Sequence, residues 1–197
     1  MQKSLYVASL SQDMAELSHI KYARRSSLPV RQNYLWRIET GVVRAITWLE
    51  DGTVVTLGVW GQGDVVGRAL SKVEPYQLDC LSSVEVTQME LEELHRSPTI
   101  LLNHIQQTEN FLVIRSARKV EDMLIKLLGW LADRFGYEVD QGRAIDLKIT
   151  HQDMAEMLGT TRVTVTRILK QFEEQGIIQR LTRQIVLKQE EFWYYEI

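Results

Sequence analysis

The residues with the most chemical capacity lie in one run, LGTTRVTVTRILKQFEEQG, from Leu158 to Gly176. Thr160 to Thr166 is dominated by Thr and Val, types that lose rotamer freedom in a helix. Yet Val165, Ile168, Leu169 and Phe172 recur at the helical spacing of three and four. That spacing predicts a helix held by packing on one face, which releases its first turn and a half from intrinsic propensity. Arg162, Val163, Thr164, Thr166 and Arg167 then stand outside the core. A guanidinium fork pairs with guanine O6 and N7, a methyl surface suits the thymine methyl, and hydroxyls beside the free N–H groups of a helix start suit phosphate. The bland alternative is an amphipathic surface helix with a solvated basic face.

The elements that must position these groups are legible on both sides. DLKITHQDMAEMLGTTRVTVTRILKQFEEQGIIQRLTRQIVLK reads as strand, helix, turn, helix, hairpin. Thr150 is a good N-cap, and Asp153 three residues later approximates a capping box. The helix it opens ends at Gly159, the residue type that tolerates a left-handed turn. Ala155, four residues earlier, leaves room for two helices joined by a short turn to cross closely. Thr161 caps the second helix. After Gly176, two short strands about a polar turn form a wing with Arg183 at its tip, and the terminal EEFWYYEI is an aromatic segment that packs on the body or on a partner.

Residues 28 to 91 turn and alternate like a compact β domain, with Glu50-Asp51-Gly52 supplying a hairpin turn between two strands. From Pro98 the period changes: Leu101, Ile105, Thr108, Leu112 and Arg115 mark a stripe that packs against a partner helix. A second helix follows, with Val120, Leu124, Leu127, Leu128 and Leu131 on one face and Gly136 as its C-terminal stop.

The chain has 197 residues, 45% hydrophobic and 25% charged, an ordinary profile for a globular protein. Its net charge of −3 hides an asymmetry: from Arg143 to Lys188, eight Lys or Arg stand against five Asp or Glu. Positive charge is thus gathered around the helix pair, as a phosphate footprint requires. No apolar run approaches the ~20 residues of a membrane span, and the N-terminus has no basic region followed by an apolar leader. A cytoplasmic location with no membrane partner is expected. Cys80 is the single cysteine, which excludes an intrachain disulfide or thiolate cluster.

On these residues the chain resembles the CRP/FNR family of bacterial transcription regulators. NYLWRIETGVVRAITWLEDGTVVTLGVWGQGDVVG is similar to the family's cyclic-nucleotide-binding-like β-roll, a double-stranded β-helix, and TTRVTVTRIL is especially similar to its cyanobacterial nitrogen-regulator branch. The resemblance implies an α+β fold in three parts: a β-roll effector-type domain at 1–95, a long dimerisation helix at 96–116, and a winged helix-turn-helix DNA-binding domain at 117–197. It implies a homodimer on double-stranded DNA with a palindromic operator. Carried over by position, Arg162, Val163 and Arg167 read bases, while Thr150, His151, Gln152, Thr161, Thr164, Lys170 and Arg183 serve the phosphates. Leu101, Ile105, Thr108 and Leu112 form the dimer seam. RNA polymerase is a further partner of such regulators, though no motif here marks the contact.

The departures matter equally. Many family members carry Glu where this chain has Val163, so a half-site of GTA type is expected in preference to TGTGA. Cyclic-nucleotide binders carry Gly-Glu and then an Arg-Ser or Arg-Thr pair; this chain has Gly67-Arg68 and PYQLDCLSS, so cAMP is not expected. Glu74 stands nearest the place of the nitrogen regulators' carboxylate-binding Arg, which also removes 2-oxoglutarate. The effector therefore stays unknown. His19, His95, His104 and Cys80 read as structural or surface groups, and no metal, cofactor or catalytic residue is expected. Two other readings are weighed: a protein-interaction module whose winged helix no longer binds DNA, and a cupin-like enzyme, which needs clustered ligands such as His-x-His that no two histidines here provide.

Overall fold

The computed structural model describes residues 19–181 and 184–188. Eight strands come first among the described residues: β1 Ile20–Tyr22, β2 Ser27–Leu28, β3 Tyr34–Thr40, β4 Val43–Trp48, β5 Val54–Trp60, β6 Val65–Val66, β7 Gln77–Cys80 and β8 Val84–Glu90. They form two antiparallel four-stranded sheets, ordered β1-β8-β3-β6 and β2-β7-β4-β5, the expected roll. Inward residues of both sheets, among them Leu28, Trp36, Ile38, Val43, Leu78, Cys80 and Val86, make one apolar core. The β4–β5 hairpin closes as expected, with Gly52 at φ +82° and the Leu49 N–H donating to the Thr53 carbonyl at 3.0 Å.

One side chain completes the interior of the roll in a way the alternation pattern does not show. The indole of Trp60 turns inward over Gly58, where a Cβ would lie 2.5 Å from its Cη2. His104 stacks on it with ring centroids 4.8 Å apart and planes 6° from parallel.

A short helix, α1 Glu92–Arg96, leads into α2 Pro98–Arg115. Pro98 occupies the start of α2, where its missing N–H costs nothing. Phe111 and Ile114 are buried beneath it, whereas Leu101, Ile105 and Leu112 are 37%, 52% and 69% exposed, with Thr108 exposed between them. Arg115 leaves this stripe: it is half-buried and its Nη1 donates to the Thr56 carbonyl at 3.4 Å.

The remainder comprises α3 Val120–Phe135, β9 Gly136–Val139, β10 Gly142–Ile145, α4 His151–Leu158, α5 Arg162–Glu174, β11 Ile178–Arg180 and β12 Ile185–Lys188. The four strands pair in the order β11-β12-β10-β9. Two sequence expectations change here. The helix α3 is not apolar on a single face, because Ile125, Trp130 and Ala132 are buried together with Leu124, Leu127, Leu128 and Leu131. Gly136 ends α3 as expected, and at φ −112° and ψ 175° the chain passes straight into β9. A glycine is needed there because a Cβ would meet the Ala132 carbonyl oxygen at 2.3 Å. The strand expected in DLKIT lies earlier, at Gly142–Ile145, and pairs with the unforeseen β9.

Candidate nucleic-acid interface

The site begins at the cap of α4. Thr150 Oγ1 accepts from the Asp153 N–H at 3.1 Å, and Asp153 Oδ2 accepts from the Thr150 N–H at 2.8 Å, a complete capping box. The Thr150 hydroxyl also donates to Asp153 Oδ2 at 2.6 Å. Its one proton is thereby used within the fold, so Thr150 orders the helix start and its free N–H groups rather than donating to a phosphate itself. Gly159 adopts φ 66° and ψ 38°, and the buried Ala155 lies under the turn.

Thr161 caps α5, accepting from the Thr164 N–H at 3.1 Å, and its hydroxyl lies 2.9 Å from that of Thr164. Val165, Ile168, Leu169 and Phe172 are buried, so the helix is anchored by one side. On the other side Arg162 and Thr166 are exposed, Val163 is 78% exposed, and the Arg167 side chain is 63% exposed. Arg167 Nη1 lies 3.8 Å from Glu121 Oε1 of α3, a solvent-screened contact that holds the guanidinium only loosely. Lys170 is exposed, 3.6 Å from Glu174. The structure thus brings Arg162, Val163 and Arg167 together on one uncovered face.

His151 and Gln152 occupy the first turn of α4. Gln152 Nε2 donates to Glu156 Oε1 at 2.8 Å. His151 Nδ1 lies 2.8 Å from Thr166 Oγ1, whose own proton goes to the Arg162 carbonyl at 2.8 Å. The network assigns the Nδ1 proton to His151. Burial first, and then the charges of Arg180 and Arg162, hold its imidazole below the ordinary histidine value. Beside it a groove of about 360 Å³ is lined by Lys148, Thr150, His151, Arg180 and Gln184, where the wing meets the α4 start. Arg180 is oriented by Glu173, whose Oε2 accepts from its Nε at 2.8 Å. Arg183 and the EEFWYYEI segment lie outside the described residues.

Sequence reasoning did not find Thr166 as the link to His151, Glu121 beside Arg167, or the Glu173–Arg180 pair. Only the last carried a signal, a carboxylate and a guanidinium flanking the Gly176 turn.

The β6–β7 loop of the roll is filled by its own arginine. Arg68 Nη1 donates to the Ser71 and Val73 carbonyls at 3.1 and 2.6 Å. The same guanidinium pairs with Glu74 and sits 5.8 Å over the Tyr76 ring. Among the described residues, no group of three or more His, Cys, Asp or Glu could hold a metal ion, and no helix is long and apolar enough to cross a membrane.

A capped helix pair with an outward basic face, a wing, and a β-roll in front of them define a DNA-binding transcription regulator. Comparison with known proteins agrees. Residues 123–191 match the Crp-like helix-turn-helix domain. The chain is 41% identical over 174 residues to the regulatory protein CysR of Synechococcus elongatus, covering 87% of this chain and 84% of that one. It is 29% identical over 164 residues to the global nitrogen regulator of a Synechocystis species, covering 75% and 72%. A CRP-family transcriptional regulator from Thermus thermophilus superposes with a TM-score of 0.75 at 23% identity, over 88% of this chain and 96% of that one, a likeness of fold. The chain belongs to the CRP/FNR family of transcription regulators.

Proposed function

We propose that the protein acts as a homodimer that binds a palindromic operator, with α5 of each subunit in successive major grooves. The supporting observation is the uncovered face of α5, where Arg162, Val163 and Arg167 point away from a helix whose opposite side is wholly buried. In this reading Arg162 and Arg167 pair with bases and Val163 meets a thymine methyl. His151, Gln152, Thr161, Thr164, Lys170 and Arg183 face phosphates, with Thr150 holding the α4 N-terminus in place. The dimer seam is Leu101, Ile105, Thr108 and Leu112 of α2, joined by Leu102, which is 57% exposed. Residues 1–95 form the roll, 96–116 the dimerisation segment and 117–197 the DNA-binding domain. Such a chain is a cytoplasmic, non-enzymatic regulator, with RNA polymerase as a further partner.

The same reading excludes cyclic nucleotides as effectors. Arg68 already commits its donors to the carbonyls and carboxylate of its own loop, so a cyclic phosphate would have to displace Glu74 and gain no additional cation.

Selection of bound sites from a random duplex library tests the proposal. The expected product is a two-fold symmetric site with GTA-type half-sites about one helical turn apart, roughly 34 Å. Recovery of unselected sequence, or equal affinity for GTA-type and TGTGA-type half-sites at one fixed salt concentration, overturns it.

A further inference from the structure

The docking of the winged domain on the roll contains a buried cation with no part in the interface above. Arg44, on β4, has a side chain only 10% exposed. Its Nη1 lies 2.7 Å from Glu156 Oε2 and 3.8 Å from Asp153 Oδ1, both on α4. Its Nη2 lies 3.6 Å from Asp79 Oδ2, and Asp79 is the cross-strand partner of Arg44 in the β4–β7 register. One guanidinium of the roll therefore serves a carboxylate of its own sheet and two carboxylates from the first two turns of α4.

Those carboxylates are already tied to the DNA-facing end of the helix. Asp153 is the capping-box acid that orders the α4 N-terminus. Glu156 accepts from Gln152 through its other oxygen. Movement of α4 relative to β4 would leave partly buried carboxylates without their cation, which is costly in a low-dielectric site.

The other ties between the two parts differ in kind. Val42, Val59 and Leu81 of the roll join the apolar core under α3, α4 and α5, a contact that holds without fixing direction. Arg24 donates to the Lys148 carbonyl at 2.6 Å, on the connection before α4. Arg134 of α3 pairs with Asp64 of the roll. Beside these ties, ion pairs reach the winged domain on both α3 and α4; with Arg44 removed, α4 loses its charged tie to the roll while the Arg134–Asp64 pair on α3 remains.

We infer that Arg44 is a positioning residue for DNA binding: by holding α4 at a fixed orientation on the roll, it sets the separation of the two recognition helices in the dimer. The inference rests on the palindrome reading above. In the docked orientation Arg162, Val163 and Arg167 are uncovered.

The test uses the full-length protein on duplexes whose half-sites keep the selected spacing or are moved by one or two base pairs, with a single half-site duplex as reference, at fixed salt. Wild type is expected to lose about tenfold or more in affinity when the spacing changes, because the helices must meet successive grooves. Arg44→Met is expected to bind the optimal palindrome about fivefold or more weakly, to lose under about threefold on altered spacing, and to match wild type on the single half-site. Arg44→Lys, which keeps the charge, is expected to restore part of the spacing preference. Glu156→Gln retains an acceptor for Gln152 and is expected to act in the same direction as Arg44→Met; it decides the matter if Arg44→Met does not fold. An Arg44→Met or Glu156→Gln protein that is folded, dimeric and as selective for spacing as wild type overturns the inference while leaving the palindrome reading standing. A wild type indifferent to spacing overturns both.

Discussion

Nδ1 of His151, at the start of α4, lies 2.8 Å from Oγ1 of Thr166, one turn into α5. The bond ties the first turn of α4 to α5, the helix proposed above to read bases, at a point away from their apolar contact. Thr166→Val keeps the shape and removes the acceptor. The expected cost is about 0.5–1.5 kcal/mol of stability, with a fall of a few-fold in operator affinity, measured by urea unfolding and duplex titration. An unchanged affinity would remove this link from the recognition geometry.

Arg162→Ala and Arg167→Ala should each cost about 1–3 kcal/mol on the selected operator and relax preference at one position of the half-site. Lys170→Ala should instead weaken binding evenly across sequences and lower the salt slope by about one. Competition titrations at two salt concentrations separate these patterns. Uniform weakening by either Arg variant would assign that Arg to phosphate.

Leu112→Glu places a charge at the most exposed apolar position of the α2 stripe, 69% exposed in the single subunit. Sedimentation should show monomers with an intact circular-dichroism spectrum and loss of palindrome binding. A dimer of unchanged affinity would place the seam elsewhere.

Acid should weaken the fold through two histidines. Burial holds His104 below the ordinary histidine value, against the opposing pull of the Val65 carbonyl and Asp64, and His151 is held low by burial and two arginines. Below about pH 6.5 the unfolded chain binds more protons than the folded one, so stability is full above that point and is lost as pH falls. The urea midpoint should drop between about pH 7.5 and 5.5. His104→Phe, which keeps a ring against Trp60, should flatten the curve; a profile as steep as wild type would exclude His104 as a source.

Legibility in the sequence follows the range of the interactions. The Thr150–Asp153 cap, the Gly159 turn and the buried stripe of α5 are local, and all are readable from spacing alone. Gly136 is readable as a boundary but not for its reason, since the approaching Ala132 carbonyl is a matter of how α3 runs into β9. The strand β9 itself lies at a sheet edge with Tyr137 and Glu138 exposed, so no alternation announces it. Arg44 finds Glu156 across 112 residues of sequence, a pairing that only the docked domains define.

The indole of Trp60 also fixes what the roll can accommodate. Its ring fills the space beneath His104 that the missing side chain of Gly58 leaves open. Trimming it to Ala would open an apolar vacancy of benzo-ring dimensions beside α2, of the kind that stays dry and takes up small aromatic guests. The regulator would then depend on an added molecule for its shape, a route to chemical rescue.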